Sequence, residues 1–189
     1  MEDPFRILGL PRQFDLTPAE VTTAHLRAVS RLHPDRATDE VQRTRMVQEA
    51  AVVGDAKQRV AHDLTRAEEL LKLLGARSFL AAPLTPEFLM ETMELRDAIE
   101  EVCAQGQSDA RAALSQTIRQ RRSDERDALA SAFRVALAQS GDPGPGQHTA
   151  IASDGGMNNE AEASLRAAAA ALVRLRYLDR MLERLASDL

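Results

Sequence analysis

Pro18-Ala19-Glu20-Val21-Thr22-Thr23-Ala24-His25-Leu26-Arg27-Ala28-Val29-Ser30-Arg31-Leu32-His33-Pro34-Asp35-Arg36 is the stretch from which the fold is read. Pro18 suits a first helical turn, with Thr17 placed to cap it. Apolar or small residues at Val21, Ala28, Val29 and Leu32, with His25 as an odd member, recur at helical spacing. Pro34 stops the helix, because it disfavours the α conformation at His33 and has no N–H to donate. A second long helical pattern starts after Arg36-Ala37-Thr38-Asp39. The expected unit is a helical hairpin with His33, Pro34 and Asp35 at its tip.

The rest of the composition suits helices. Hydrophobic residues make up 44% of the 189-residue chain and charged residues 28%, while aromatics are 3% and Trp is absent. The cores must therefore be built from Leu, Val, Ile, Met and Ala, and abundant alanine favours helix. A formal charge of −5 argues against general nucleic-acid binding. No apolar run approaches 18 residues and no signal-peptide pattern opens the chain, so neither membrane spanning nor secretion is expected.

Upstream of the hairpin, residues 4 to 10 read as a short helix closed by Gly9 and Pro11, with Phe5, Leu8 and Leu10 available to a core. Arg12 to Thr17 reads as a connection. Arg27 and Arg31 stand away from the apolar positions of the first arm, and Arg36 lies just beyond the tip. In the second arm, Val47, Ala50, Val53, Ala56 and Val60 form the expected inward stripe, and Gly54 suggests a close approach to the first arm. Its helical continuation ends at Leu74-Gly75. Ala76 to Pro86 has no clear period and reads as a linker.

Phe88, Thr92, Leu95, Ile99 and Val102 then mark a bundle seam at spacings of four, three, four and three. Leu89, Met90 and Met93 fall off it. This surplus apolar surface is either covered by a neighbouring segment or awaits a partner, and the pattern leaves both open. Asp109 to Gln139 carries a stripe of Leu114, Ile118, Leu129, Phe133 and Leu137. Its mixed-sign run from Arg119 to Asp127 reads as a solvated face. Gly141 to Asn159 is rich in Gly, Pro and polar residues and reads as a mobile loop. From about Glu160 a last seam runs through Leu165, Ala168, Leu172, Leu175, Leu178, Leu182, Leu185 and Leu189, with Tyr177 off it. The fold class is all-α, with an N-terminal helical hairpin and a C-terminal antiparallel three-helix bundle.

Catalytic constellations are missing from this pattern. His25, His33, His62 and His148 have no metal-ligand spacing, and no Walker, Gly-x-Ser-x-Gly or dinucleotide fingerprint is present. Cys103 lies in an acid-rich helix, which raises a thiol pKa and disfavours a nucleophile. Neither an enzyme nor a cofactor is expected.

The segments match one known family in order. The helix, His33-Pro34-Asp35-Arg36, helix arrangement, with Pro4-Phe5-Arg6-Ile7-Leu8-Gly9-Leu10 upstream, resembles the J-domain of DnaJ-type co-chaperones. Val60 to Leu71, Phe88 to Arg96 and Arg174 to Arg180 resemble the HscB branch, which serves iron–sulfur cluster assembly. The chain departs from that branch at Asp63, where proline is usual, at His25, where an aromatic is usual, and in the long 141–159 segment. The resemblance implies a J-domain over residues 1–75, a linker over 76–86 and a client-binding bundle over 87–189.

It also implies a cytoplasmic co-chaperone that stimulates the ATPase of a DnaK-type, HscA-like chaperone and delivers an IscU-type cluster scaffold to it. The chaperone-facing residues would be His33, Pro34, Asp35, Arg27, Arg31 and Arg36. Asp35 would pair with an arginine of the chaperone, His33 would add a polar contact, and Pro34 would fix the turn. The client-facing residues would be Leu89, Met90, Met93 and Tyr177, with Glu94 and Arg96 as a polar rim. A J-domain adaptor with an unrelated client is the alternative expectation.

Overall fold

The computed structural model describes residues 2–32, 37–139 and 159–187, and the regular structure within them is helical. Helix α1 (Pro4–Leu8) is fixed by Asp3, whose Oδ1 accepts from the Phe5 and Arg6 amides at 2.9 and 3.4 Å. Gly9 ends α1 with φ +66°, a conformation that favours glycine. Helix α2 (Pro18–Ser30) opens on a capping box: Thr17 Oγ1 accepts from the Glu20 amide and Glu20 accepts from the Thr17 amide. Asp39 caps α3 (Glu40–Ala61), and one extended residue, His62, separates it from α4 (Asp63–Leu73).

A short 3₁₀ turn over Arg77–Ala81 follows, then α5 (Pro86–Gln105), α6 (Ser108–Gln139) and α7 (Asn159–Ser187). Contacts give the helix directions. Arg122 pairs with Asp179, Glu125 with Arg174 and Gln139 with Glu160, so α6 and α7 are antiparallel. Phe88 meets Tyr177 and Glu100 meets Arg184, so α5 follows the direction of α7. The up-down-up order is that of a three-helix bundle.

The α6–α7 hairpin is a spine with two differently covered ends. At one end Leu95 and Ile99 of α5 pack with Ile118, Leu178 and Leu185, and Cys103 lies at the edge of this cluster. At the other, Leu129, Phe133, Leu165 and Leu172 share one core with Phe5, Val21, Val60, Leu70 and Leu71 from α1 to α4. The 3₁₀ turn also packs here through Phe79 and Leu80.

Several sequence expectations change in this setting. Phe14 and Leu16, in the expected connection, are 2% and 4% exposed and belong to the core. The Phe14 ring stacks on Phe133 at 5.7 Å, with the Arg66 and Arg126 guanidiniums 5.7 and 5.4 Å from its centroid. Val47 is 54% exposed, so the buried stripe of α3 is Val53, Ala56 and Val60. Gly54 makes no close approach, since nothing lies within 4 Å of where its Cβ would stand. His25 is half-buried without a hydrogen bond to another described residue, and burial with nearby Lys57 pushes its pKa down.

The mixed-sign run of α6 is a solvated face only in part. Arg122, Glu125 and Arg126 turn inward between the two apolar clusters and pair with Asp179, Arg174 and Asp63. Arg176 of α7 reaches Glu68 of α4 in the same layer. Long arginine stems cover apolar surface while their heads stay paired, which suits such a half-buried layer. Of the expected loop 141–159, only Asn159, which opens α7, is among the described residues, and Leu189 lies outside them.

The core assignment makes a direct prediction. Phe14→Ala should destabilise the fold by about 3–5 kcal/mol, whereas Val47→Ala should change stability by less than about 0.5 kcal/mol. Urea denaturation checks both, and equal midpoints for the two variants would contradict the packing described.

Candidate protein-interaction surfaces

The described residues among those expected to make contacts fall on two surfaces, one in each half of the chain. On the first, Arg27 of α2 and Arg31, which caps the end of that helix, are both exposed and without an ion pair to another described residue. Arg27 supports the end of its own helix, its carbonyl accepting from Ser30 Oγ at 2.9 Å. His33, Pro34, Asp35 and Arg36 lie outside the described residues. Leu26, also on α2, is 62% exposed.

The second surface begins at the N-terminus of α5. Thr85 Oγ1 accepts from the Phe88 amide at 3.3 Å, and Pro86 stands in the first turn, so the helix start is locally fixed. Phe88 is buried at 9% exposure and meets Tyr177 edge-on, with ring centroids 5.6 Å apart. Leu89, Met90 and Met93 point elsewhere and are 45%, 64% and 58% exposed. Of the two readings the pattern left open, cover by a neighbouring segment is not seen among the described residues, which leave these three side chains exposed.

Tyr177 does not share that exposure. It is half-buried, held by Phe88 on one side and by the Arg180 guanidinium 5.8 Å from its ring centroid. Phe88 thus joins Tyr177 to the exposed end of α5, although its place on the seam alone marks it only as a core residue. Glu94 is exposed, and Arg96 is exposed with Asp97 and Glu100 at 3.7 and 3.9 Å. Exposed pairs of this kind contribute little to stability and leave both groups available to a partner. The arrangement is an exposed apolar patch with charge at its margin. Among the described residues no group of three or more His, Cys, Asp or Glu is placed to hold a metal ion. No helix among them is long and apolar enough to cross a membrane.

Comparison with known proteins assigns the family. The HSCB C-terminal oligomerisation domain matches residues 84–186, more than half of the chain. This chain belongs to the HscB family. Among curated HscB-family relatives, a co-chaperone protein HscB homolog of Azoarcus sp. is 34% identical over 112 residues, 57% of this chain and 63% of that protein. A homolog of Vibrio vulnificus is 38% identical over 114 residues, 58% of this chain and 66% of that protein. The aligned part thus spans less than two thirds of the length of these relatives.

Solved HscB structures share the fold over nearly the whole chain. The chaperone HscB of Vibrio cholerae superimposes with a TM-score of 0.69 at 25% identity, covering 98% of this chain and 96% of its own. Human co-chaperone protein HscB gives a TM-score of 0.72 at 18% identity, covering 99% and 82%.

Burial separates patch from support. Phe88→Ala should cost about 3–5 kcal/mol in chemical denaturation, as an aromatic core truncation does, while Leu89→Ala and Met93→Ala should each stay within about 0.5 kcal/mol. An early-melting Leu89 or Met93 variant would mean that the side chain is packing and not a free surface.

Proposed function

We propose that the chain is a two-ended co-chaperone without enzymatic activity of its own, working in the cytoplasm in iron–sulfur cluster assembly. Residues 1–75 act as a J-domain toward a DnaK-type, HscA-like chaperone, 76–86 as the connection, and 87–189 hold an IscU-type scaffold as client. The observation that carries this reading is the uncovered Leu89, Met90 and Met93 on α5, inside the segment matched by the HscB domain. Methionine side chains adapt readily to a partner's surface. The exposed Arg27 and Arg31 beside the His33-Pro34-Asp35 sequence support the chaperone-facing half.

Asp35 supplies a carboxylate for an arginine of the chaperone, Pro34 fixes the turn, and His33 adds a polar contact. Arg27, Arg31 and Arg36 steer an acidic surface toward that tip. Binding one conformation of the chaperone better than another shifts its population toward the state that hydrolyses ATP. Client held at α5 and Tyr177 is thereby brought to the same chaperone.

Asp35→Asn is expected to abolish stimulation of the chaperone's ATPase with the melting temperature unchanged, and retained stimulation would remove the J-domain reading. Leu89→Ala with Met93→Ala is expected to abolish scaffold binding and the extra stimulation that scaffold gives, leaving scaffold-free stimulation intact. Chaperone binding should weaken as salt is added, and a salt-independent affinity would contradict the role given to Arg27 and Arg31.

A second reading of the same patch is self-association, since the segment matches an oligomerisation domain. Sedimentation velocity of the wild type and the Leu89/Met93 variant separates the two. A dimer lost in the variant, with scaffold binding retained, would give the patch to a second copy.

A further inference from the structure

Beside the apolar patch lies a groove of about 190 Å³ between α7 and the segment that precedes α5. Phe79, Pro83, Leu84 and Phe88 form one wall, and Ala170 and Val173 the other. Arg166, Ala170, Val173 and Tyr177 follow one another along α7 at spacings of four, three and four, so they share one helix face. Phe88 belongs to both features, lining the groove and meeting Tyr177 edge-on. The groove is therefore continuous with the proposed client surface.

Its chemistry is specific. A cavity of roughly 150 Å³ lined by aliphatic and aromatic side chains takes up a benzene ring. The groove can thus seat one ring or one branched aliphatic side chain. The charged lining consists of Arg166 and Arg174 and includes no carboxylate. The Arg166 guanidinium lies 4.4 Å from the Phe79 ring centroid and pairs with Glu162 at 2.5 Å, while Arg174 pairs with Glu125 at 2.7 Å. These contacts place both arginines at the groove, and the Arg166 side chain, 61% exposed, stays available to a partner.

We propose that this groove is a specificity site for the client. It takes one large apolar side chain of the scaffold protein, and Arg166 meets a carboxylate close to that side chain in the client sequence. The proposal rests on the client reading given above and extends it from a flat patch to a patch with a pocket.

The test uses the full chain and a purified IscU-type scaffold, with binding read by titration calorimetry. Ala170 is exposed and helical. Ala170→Leu therefore fills the groove from its rim with a residue that suits a helix. It should weaken scaffold binding about tenfold or more, as blocking an anchor pocket does. Arg166→Glu should weaken it and reverse part of its salt dependence. Both variants should keep wild-type helicity and melting temperature. Should Ala170→Leu fail to fold, Arg166→Glu decides alone.

Leu89→Ala with Met93→Ala serves as the reference. Wild-type affinity in both groove variants, with weakened binding in the reference, would overturn the groove proposal and leave the client reading standing. Wild-type affinity in the reference as well would overturn both. A change in self-association with scaffold affinity unaltered would assign the groove to a second copy and likewise overturn the proposal.

Discussion

The Phe14 ring is where the N-terminal helices and the bundle become one body. It stacks on Phe133 of α6 and is flanked by the guanidiniums of Arg66 from α4 and Arg126 from α6. Arg66 is 1% exposed, and its N–H groups donate to the carbonyls of Val60, Phe14 and Ala61 and to Asp63 Oδ1. Burial pushes its pKa down while Asp63 acts the other way. Asp63 Oδ2 accepts from Arg126 Nε at 2.7 Å, so one carboxylate joins a buried cation to the spine. A buried charge is tolerated when it is paired and hydrogen-bonded, and this one is bonded to four groups.

That anchoring gives the proposed adaptor its mechanical logic. Helices α1 to α4 share an apolar core with the α6–α7 spine, and α5 packs on the same spine, so the α2 face and α5 are tied to each other through α6 and α7. Under the proposed function, a client seated on the bundle would be presented to the chaperone at a defined place, with its effective concentration set by the fold and not by diffusion. Both proposed contact surfaces can be altered at little cost in stability, because their described side chains lie outside the two apolar clusters. The half-buried ionic layer of Arg122, Glu125, Arg174 and Asp179 separates those clusters and ties α6 to α7 midway.

Local signals were legible in the sequence. The Thr17-Pro18 start of α2, the glycine after α1 and the seams of α5 and α7 depend on neighbours a few residues away, and periodicity finds them. Leu89, Met90 and Met93 could be read as off-seam for the same reason. Phe14 and Leu16 could not, because a core residue in an irregular segment has no period to reveal it. Val47 failed oppositely. Its stripe continues, but α3 has 22 residues and α2 has 13, so the early turns of α3 outrun their cover. Charge signs in the α6 run were visible, whereas which arginines turn inward depends on acids of α4 and α7 far away in the chain. The groove at Ala170 was illegible too, since one wall comes from a segment without any repeat.

A mixing experiment addresses the two-ended account most directly. Asp35→Asn and Leu89→Ala/Met93→Ala each disable one end, and the two variants are combined in one assay of scaffold-dependent ATPase stimulation. If client and chaperone must be held by the same molecule, the mixture stays at the scaffold-free level given by the Leu89/Met93 variant alone. Recovery of the scaffold-dependent stimulation in the mixture would show that the ends work apart, and would contradict the account.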